Sequence, residues 1–224
     1  MSETVFVVTI DGPSGSGKGT LSQLLAKKLN FHLLDSGALY RLTALASLNK
    51  QLDLNDVDSI ADVALNLQIK FDVSGDKTLI LLEGQDVSDQ IRTETISMAA
   101  SKIAAYQPVR SALLSRQRAF AKSPGLIADG RDMGTVVFPS APVKLFLTAS
   151  AEARAERRYK QLVAKGETVD KNILVKEIQE RDERDTKRSV SPLVPAADAV
   201  LVDSTNMSID QVFDFMLNEI HKKL

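Results

Sequence analysis

The stretch Gly12-Pro13-Ser14-Gly15-Ser16-Gly17-Lys18-Gly19-Thr20 decides how this chain is read. It follows Thr4 to Ile10 (TVFVVTI), a β-branched apolar run that stops at Asp11-Gly12 and predicts a buried, parallel strand. From Lys18 onward the spacing turns helical, with Leu21, Leu24, Leu25 and Leu29 expected on one face. Strand, glycine-rich turn and helix in that order are the context of a phosphate-binding loop. Glycines let successive backbone N–H groups approach phosphate oxygens, and the helix start adds partial positive charge. Lys18 is placed to reach the outer phosphates of a nucleotide. The general pattern carries Ser or Thr directly after the lysine. Here Gly19 intervenes and the hydroxyl sits on Thr20, so it is expected on a phosphate and not on a metal.

Strand-then-helix grammar recurs along the chain. Phe31 to Leu34 predicts a short strand ending at Asp35-Ser36-Gly37. Pro108 to Lys122 predicts a helix, Leu126 to Asp129 and Val143 to Leu147 two strands, and Ala199 to Val202 a last strand. Ser150 and Ser208 are expected to cap the helices that follow them. Such alternation implies a mainly parallel sheet covered on both faces. The middle breaks this pattern. Leu67 to Val73 and Leu79 to Glu83 read as strands around Ser74-Gly75-Asp76-Lys77, a hairpin signal, with a third short strand after Gly84. Hairpins do not belong in a βαβ series, so this region reads as an insertion. Residues 151–188 are dense in charge and predict two polar helices joined around Gly166-Glu167, suited to a mobile lid.

Composition narrows the function. In 224 residues, 28 Lys and Arg stand against 29 Asp and Glu, for a net charge of -1. That balance disfavours binding nucleic acid by bulk charge, but leaves room for a small anion at a focused site. There is no cysteine, which excludes disulfides, zinc-thiolate sites and thiol nucleophiles. Two histidines, His32 and His221, offer little for a metal site. No basic leader precedes the first strand, and no apolar run approaches the ~20 residues that span a bilayer. A cytoplasmic protein follows by elimination.

Further motifs carry a resemblance. LLDSGALYR, IRTETISMAAS, LIADGRDMGTVVFP and RDERDTKRSVSPL, together with the Gly-Lys-Gly-Thr loop, are similar to the nucleoside monophosphate kinases and specifically to bacterial-type cytidylate kinases. The similarity runs from Ile10 to Ser204. It implies an α/β fold: a three-layer α/β/α P-loop core with a parallel five-stranded sheet (residues 1–34, 106–150 and 186–224). An inserted small NMP-binding domain (35–105) and a short helical lid (151–185) complete it. It implies transfer of the γ-phosphoryl group of MgATP to CMP or dCMP by a monomer with no nucleic-acid or membrane partner.

The resemblance also implies roles. Gly12 to Thr20 and Arg157 bind ATP, Lys18 with Arg131, Arg181 and Asp129 serves catalysis, and Asp129 acts through Mg²⁺-bound water, with no side chain a direct metal ligand. Arg41, Arg131 and Arg181 grip the acceptor phosphate, as guanidinium forks match phosphate oxygens. Asp185 takes the ribose hydroxyls. Ser101, Arg110, Asp132 and Arg188 read cytosine, whose N4 amine donates to a carboxylate and whose N3 and O2 accept. Ser36 and Tyr40 flank Arg41 and are placed to touch the nucleotide, although Tyr40 reads equally as core. One or more of Arg154, Arg157 and Arg158 is expected on the donor phosphates or adenine. From spacing alone, Arg181, Asp185 and Arg188 share one helical face that reads equally as a solvated ion-pair ladder.

Two alternatives remain. Another monophosphate such as UMP would keep Lys18, Arg41 and Arg131 and change the base readers. A nucleotide-dependent switch would need a guanine-reading Asn-Lys-x-Asp, and in Asn49-Lys50-Gln51-Leu52-Asp53 the acid falls one residue late.

Overall fold

A computed structural model describes residues 5–72 and 79–224. The chain divides into two compact units, one of residues 1–35 and 118–224 and the other Ser36–Gln117. The larger unit holds five parallel strands: β1 (Val7–Asp11), β2 (His32–Asp35), β6 (Leu126–Gly130), β7 (Val143–Thr148) and β8 (Val200–Asp203). Their order is β2-β6-β1-β7-β8. β1 is central, with Val8 opposite Ile127 of β6 on one side and Val143 of β7 on the other. All five of its residues are buried, which is why its sequence is continuous and apolar and does not alternate.

Helix α1 (Lys18–Leu29) and α8 (Ile209–His221) pack on this sheet. The core gathers Ile10, Leu25, Ile127, Leu147, Met216 and Ile220, all at most 1% exposed, with Val202 and Val212 beside them. One expected core residue departs: Leu24 is 41% exposed. The buried arc of α1 runs through Leu21, Ser22, Leu25 and Ala26, and Leu24 falls off its edge. Ser208 caps α8 in a reciprocal box with Gln211, and Ser150 accepts from the Ala153 N–H at the start of α6 (Ala151–Ala164). α7 (Lys171–Lys187) follows, so the charged stretch does form two helices with Gly166 between them at φ 82°.

The smaller unit contains α2 (Ser36–Asn49), α3 (Val57–Leu65), strands β3 (Ile69–Asp72), β4 (Leu79–Leu82) and β5 (Gln85–Asp86), then α4 (Glu94–Ile103) and α5 (Gln107–Arg118) up to its last residue. β3 pairs antiparallel with β4, and β4 with β5, as the hairpin reading requires. The expected turn at Ser74 to Lys77 lies outside the described residues. This unit has its own core, centred on Leu42, Leu45, Leu82, Ile91 and Ile96. All but the last residue of α5 fall in the smaller unit, and the helix buries Val109 and Leu113.

Candidate active site

The phosphate loop springs from the end of β1. Gly12 has φ 149°, and a Cβ on it would fall 1.9 Å from the Leu147 carbonyl oxygen, so no side chain fits there. The carbonyls of the loop are turned away and held. Lys18 Nζ donates to Pro13 O at 2.7 Å, and Ser16 Oγ to the same oxygen at 3.1 Å. Arg154 Nη1 donates to Ser14 O at 3.0 Å and Arg157 Nη1 to Ser16 O at 3.2 Å. Because a trans peptide points N–H opposite to C=O, these contacts turn the N–H groups of Ser14, Gly15 and Gly17 the other way. α1 starts from Gly17 with no side-chain cap, so its first N–H groups add to the same donor set.

Arg154 and Arg157 thus hold the loop through its carbonyls. Arg154 is 3% exposed and, besides Ser14, binds the Asp182 carboxylate on α7 with both terminal nitrogens. Arg157 also donates to Ser204 O at 2.6 Å. The spacing that placed them on a polar lid helix gave no sign of these partners. Arg158 has polar or electrostatic partners of its own.

A charged cluster lies in the same unit. Asp129, at the end of β6, is 8% exposed, and its carboxylate faces the start of α1 beside Gly19. Burial, reinforced by Asp35 and Asp11, pushes its carboxyl up to about 7 against the opposing pull of Lys18 and Arg131. Burial likewise lowers Lys18 to about 8, with Asp129 opposing. Arg131 donates through Nε to Asp185 Oδ2 at 2.6 Å, and Arg188 Nη1 lies 3.9 Å from Asp185 Oδ1. Burial pushes the Asp185 carboxyl up, but Arg131, Arg181 and Arg188 outweigh it and hold it below the ordinary carboxylate value. Arg188 also donates to Ser191 O at 2.6 Å. Lys18, Asp129, Arg131, Arg181, Asp185 and Arg188 therefore form one electrostatic group in which Lys18, Asp129 and Asp185 are buried, so at Asp185 the α7 face is not a solvated ladder. Asp132 is buried at the head of the turn that follows Arg131.

Four other expected residues, Ser36, Arg41, Ser101 and Arg110, lie in the smaller unit. Ser36 opens α2, Arg41 lies one turn on, Ser101 is on α4 and Arg110 on α5. Arg110 is buried, stacks over the Tyr40 ring at 5.7 Å and donates to Ala104 O at 3.0 Å. Tyr40 is thus core and a cation platform at once.

Asp129 also suits a divalent cation. Mg²⁺ prefers one or two carboxylates with water and phosphate oxygens, and a carboxylate that burial has pushed up gains from a cation beside it.

A five-stranded parallel sheet carrying a glycine-rich loop between β1 and α1, with a lysine and clustered arginines at the strand ends, defines a P-loop phosphotransferase. A structure from Thermus thermophilus, TT1252, shares the fold at TM-score 0.50 and 16% identity, covering 99% of each chain. The family model for cytidylate kinase matches residues 8–222. A cytidylate kinase from Shewanella halifaxensis is 56% identical over all of this chain and 98% of its own length. One from Aeromonas hydrophila is 58% identical over all of this chain and 97% of its own length. The chain belongs to the cytidylate kinase family. Among the described residues no helix is long and apolar enough to cross a membrane.

Proposed function

We infer that this chain transfers the γ-phosphoryl group of ATP to CMP, giving ADP and CDP, and that dCMP serves as a second acceptor. The observation that carries this reading is one electrostatic group beside the phosphate loop, in which Lys18, Asp129 and Asp185 are buried and Arg131 and Arg181 half-buried, in a chain of this family. Phosphoryl transfer asks chiefly for positioning and charge neutralisation. Lys18 and the loop amides, Gly12 to Thr20, hold the donor phosphates, and Lys18 exchanges the Pro13 carbonyl for phosphate oxygen. Arg157 supports the donor site through Ser16.

Arg41, Arg131 and Arg181 take the acceptor phosphate, and Asp185 the ribose hydroxyls. Ser101, Arg110, Asp132 and Arg188 read cytosine, with Ser36 beside the nucleotide. No general base is required, since a monophosphate oxygen is already anionic near pH 7. Asp129 would hold Mg²⁺ through water, and the cation when bound supplies charge neutralisation on the phosphates. Residues 151–185 act as the lid that keeps water from the donor. Both substrates are cytoplasmic metabolites, which supports that compartment, and a monomer is the simplest state for the assigned residues.

The test is ADP release in a coupled assay with ATP and CMP, dCMP, UMP, AMP or GMP. Release is expected fastest with CMP or dCMP. Equal rates with AMP or GMP overturn the cytidylate reading, and equal rates with no acceptor overturn the kinase reading.

A further inference from the structure

Asp11 ends β1 one residue before the phosphate loop, and nothing in the proposed chemistry uses it. Asp11 is 5% exposed, and its carboxylate takes two backbone donors from a segment far along the chain. The Met133 N–H donates to Oδ1 and the Gly134 N–H to Oδ2, both at 2.8 Å. These donors open the π-helical turn Met133–Val137, whose first N–H groups have no partner inside the turn. The other end of the turn closes on Asp132, whose carbonyl accepts from Val136 and Val137 at 2.9 and 3.2 Å. Before Arg131, Gly130 sits opposite Asp11 in the β1–β6 ladder, so the backbone is held at Gly130 and again at Met133, and Arg131 and Asp132 are the residues carried between.

Gly134 shows that the approach is close. A Cβ on it would lie 2.9 Å from Thr9 Oγ1, 3.2 Å from Lys144 Cδ and 3.4 Å from Asp11 Oδ2. Thr9 is fully buried in the central strand and β-branched, so it has little room to yield. An ionised carboxylate at this depth is costly: burial pushes Asp11 up to about 6 even against its two N–H bonds. A site that only needed filling would be better served by an apolar residue.

We propose that Asp11 is a positioning residue for the acceptor: its clamp on Met133 and Gly134 sets the placement of Arg131 and Asp132, and through Asp132 the choice of cytosine over uracil. Uracil presents a carbonyl oxygen where cytosine presents the N4 amine, so a displaced Asp132 loses discrimination directly. This rests on the roles proposed above for Arg131 and Asp132.

Two variants test it from opposite sides of the clamp. Asp11→Asn keeps the shape but turns one acceptor into a donor facing an N–H, and Gly134→Ala pushes the turn away. For each, kcat/KM for CMP is expected to fall about tenfold to a hundredfold, chiefly through KM for CMP. The CMP-over-UMP preference is expected to narrow about tenfold, while KM for ATP stays within about threefold. An equal rise in both KM values, or an unchanged CMP-over-UMP ratio, overturns the proposal. On the unmodified protein, hydrogen exchange at the Met133 and Gly134 amides is expected to slow when CMP is added. Exchange indifferent to CMP also overturns it, which covers the case of a variant that fails to fold. Wild-type enzyme inactive on CMP would instead overturn the functional reading itself.

Discussion

Arg131 and Asp185 meet at 2.6 Å, joining the residue after β6 to the last turn of α7. Asp185 is 3% exposed and lies among Arg131, Arg181 and Arg188, so their charges hold its carboxyl low despite burial. A group whose folded pKa lies below its unfolded value stabilises above the unfolded value, about 3.9 for Asp, and ceases to do so as pH falls through the folded one. Asp185→Asn is therefore expected to cost about 2 kcal/mol at pH 7, roughly 4–8 °C in Tm. The gap between variant and wild type should close as pH drops below about 4. Thermal melts at pH 7, 5 and 3.5 check this, and a constant gap contradicts it.

Lys18 presents the opposite balance. Burial lowers its pKa to about 8, and its ammonium rests on the Pro13 carbonyl. Lys18→Met removes a charge the fold tolerates poorly, so Tm should stay within roughly 3 °C of wild type or rise. The rate constant kcat should fall about a hundredfold to a thousandfold, as when a preorganised charge-stabilising donor is lost. A coupled assay beside a melt separates the two effects. A large Tm loss would show that the lysine holds the loop together.

Gly12→Ala places a methyl against the Leu147 carbonyl at 1.9 Å, on a backbone already at φ 149°. The strand ends must part to admit it, at about 3 kcal/mol or more. A Tm lower by roughly 6 °C or more is expected, together with loss of the stabilisation that ATP confers. Retained stabilisation by ATP would mean that the loop can reshape around the methyl.

Arg154→Lys separates charge from geometry. One guanidinium serves Ser14 O and both oxygens of Asp182, a pattern that a lysine ammonium cannot match. ATP affinity measured by calorimetry should fall about fivefold to tenfold. Unchanged affinity would show that anchoring Ser14 is unnecessary for the donor site.

Much of this arrangement was legible in the sequence, because continuous apolar strands, capping serines and a glycine-rich turn each have a local cause. Ser150 and Ser208 cap where their types predict, and the insertion declared itself through its hairpin. Less legible was whatever depends on partners distant in sequence. Asp11 read only as the residue that stops a strand, since its partners lie beyond a hundred residues. The π-helical turn after Asp132 has no periodic signature of its own. Arg154 reads from its spacing only as one of three arginines that could serve the donor phosphates or adenine, because that spacing reveals neither Ser14 nor Asp182.

The placement of β1 at the centre of the sheet has a consequence for biosynthesis. Asp11 emerges from the ribosome 122 residues ahead of Met133, the backbone that completes its clamp. At about 5–20 residues per second, the nascent strand waits roughly 6–24 s for β6 and the turn beyond it. The phosphate loop is thus synthesised well before the backbone that completes the clamp beside it. Its apolar strand stays exposed during that interval, the period in which a chaperone would have something to hold.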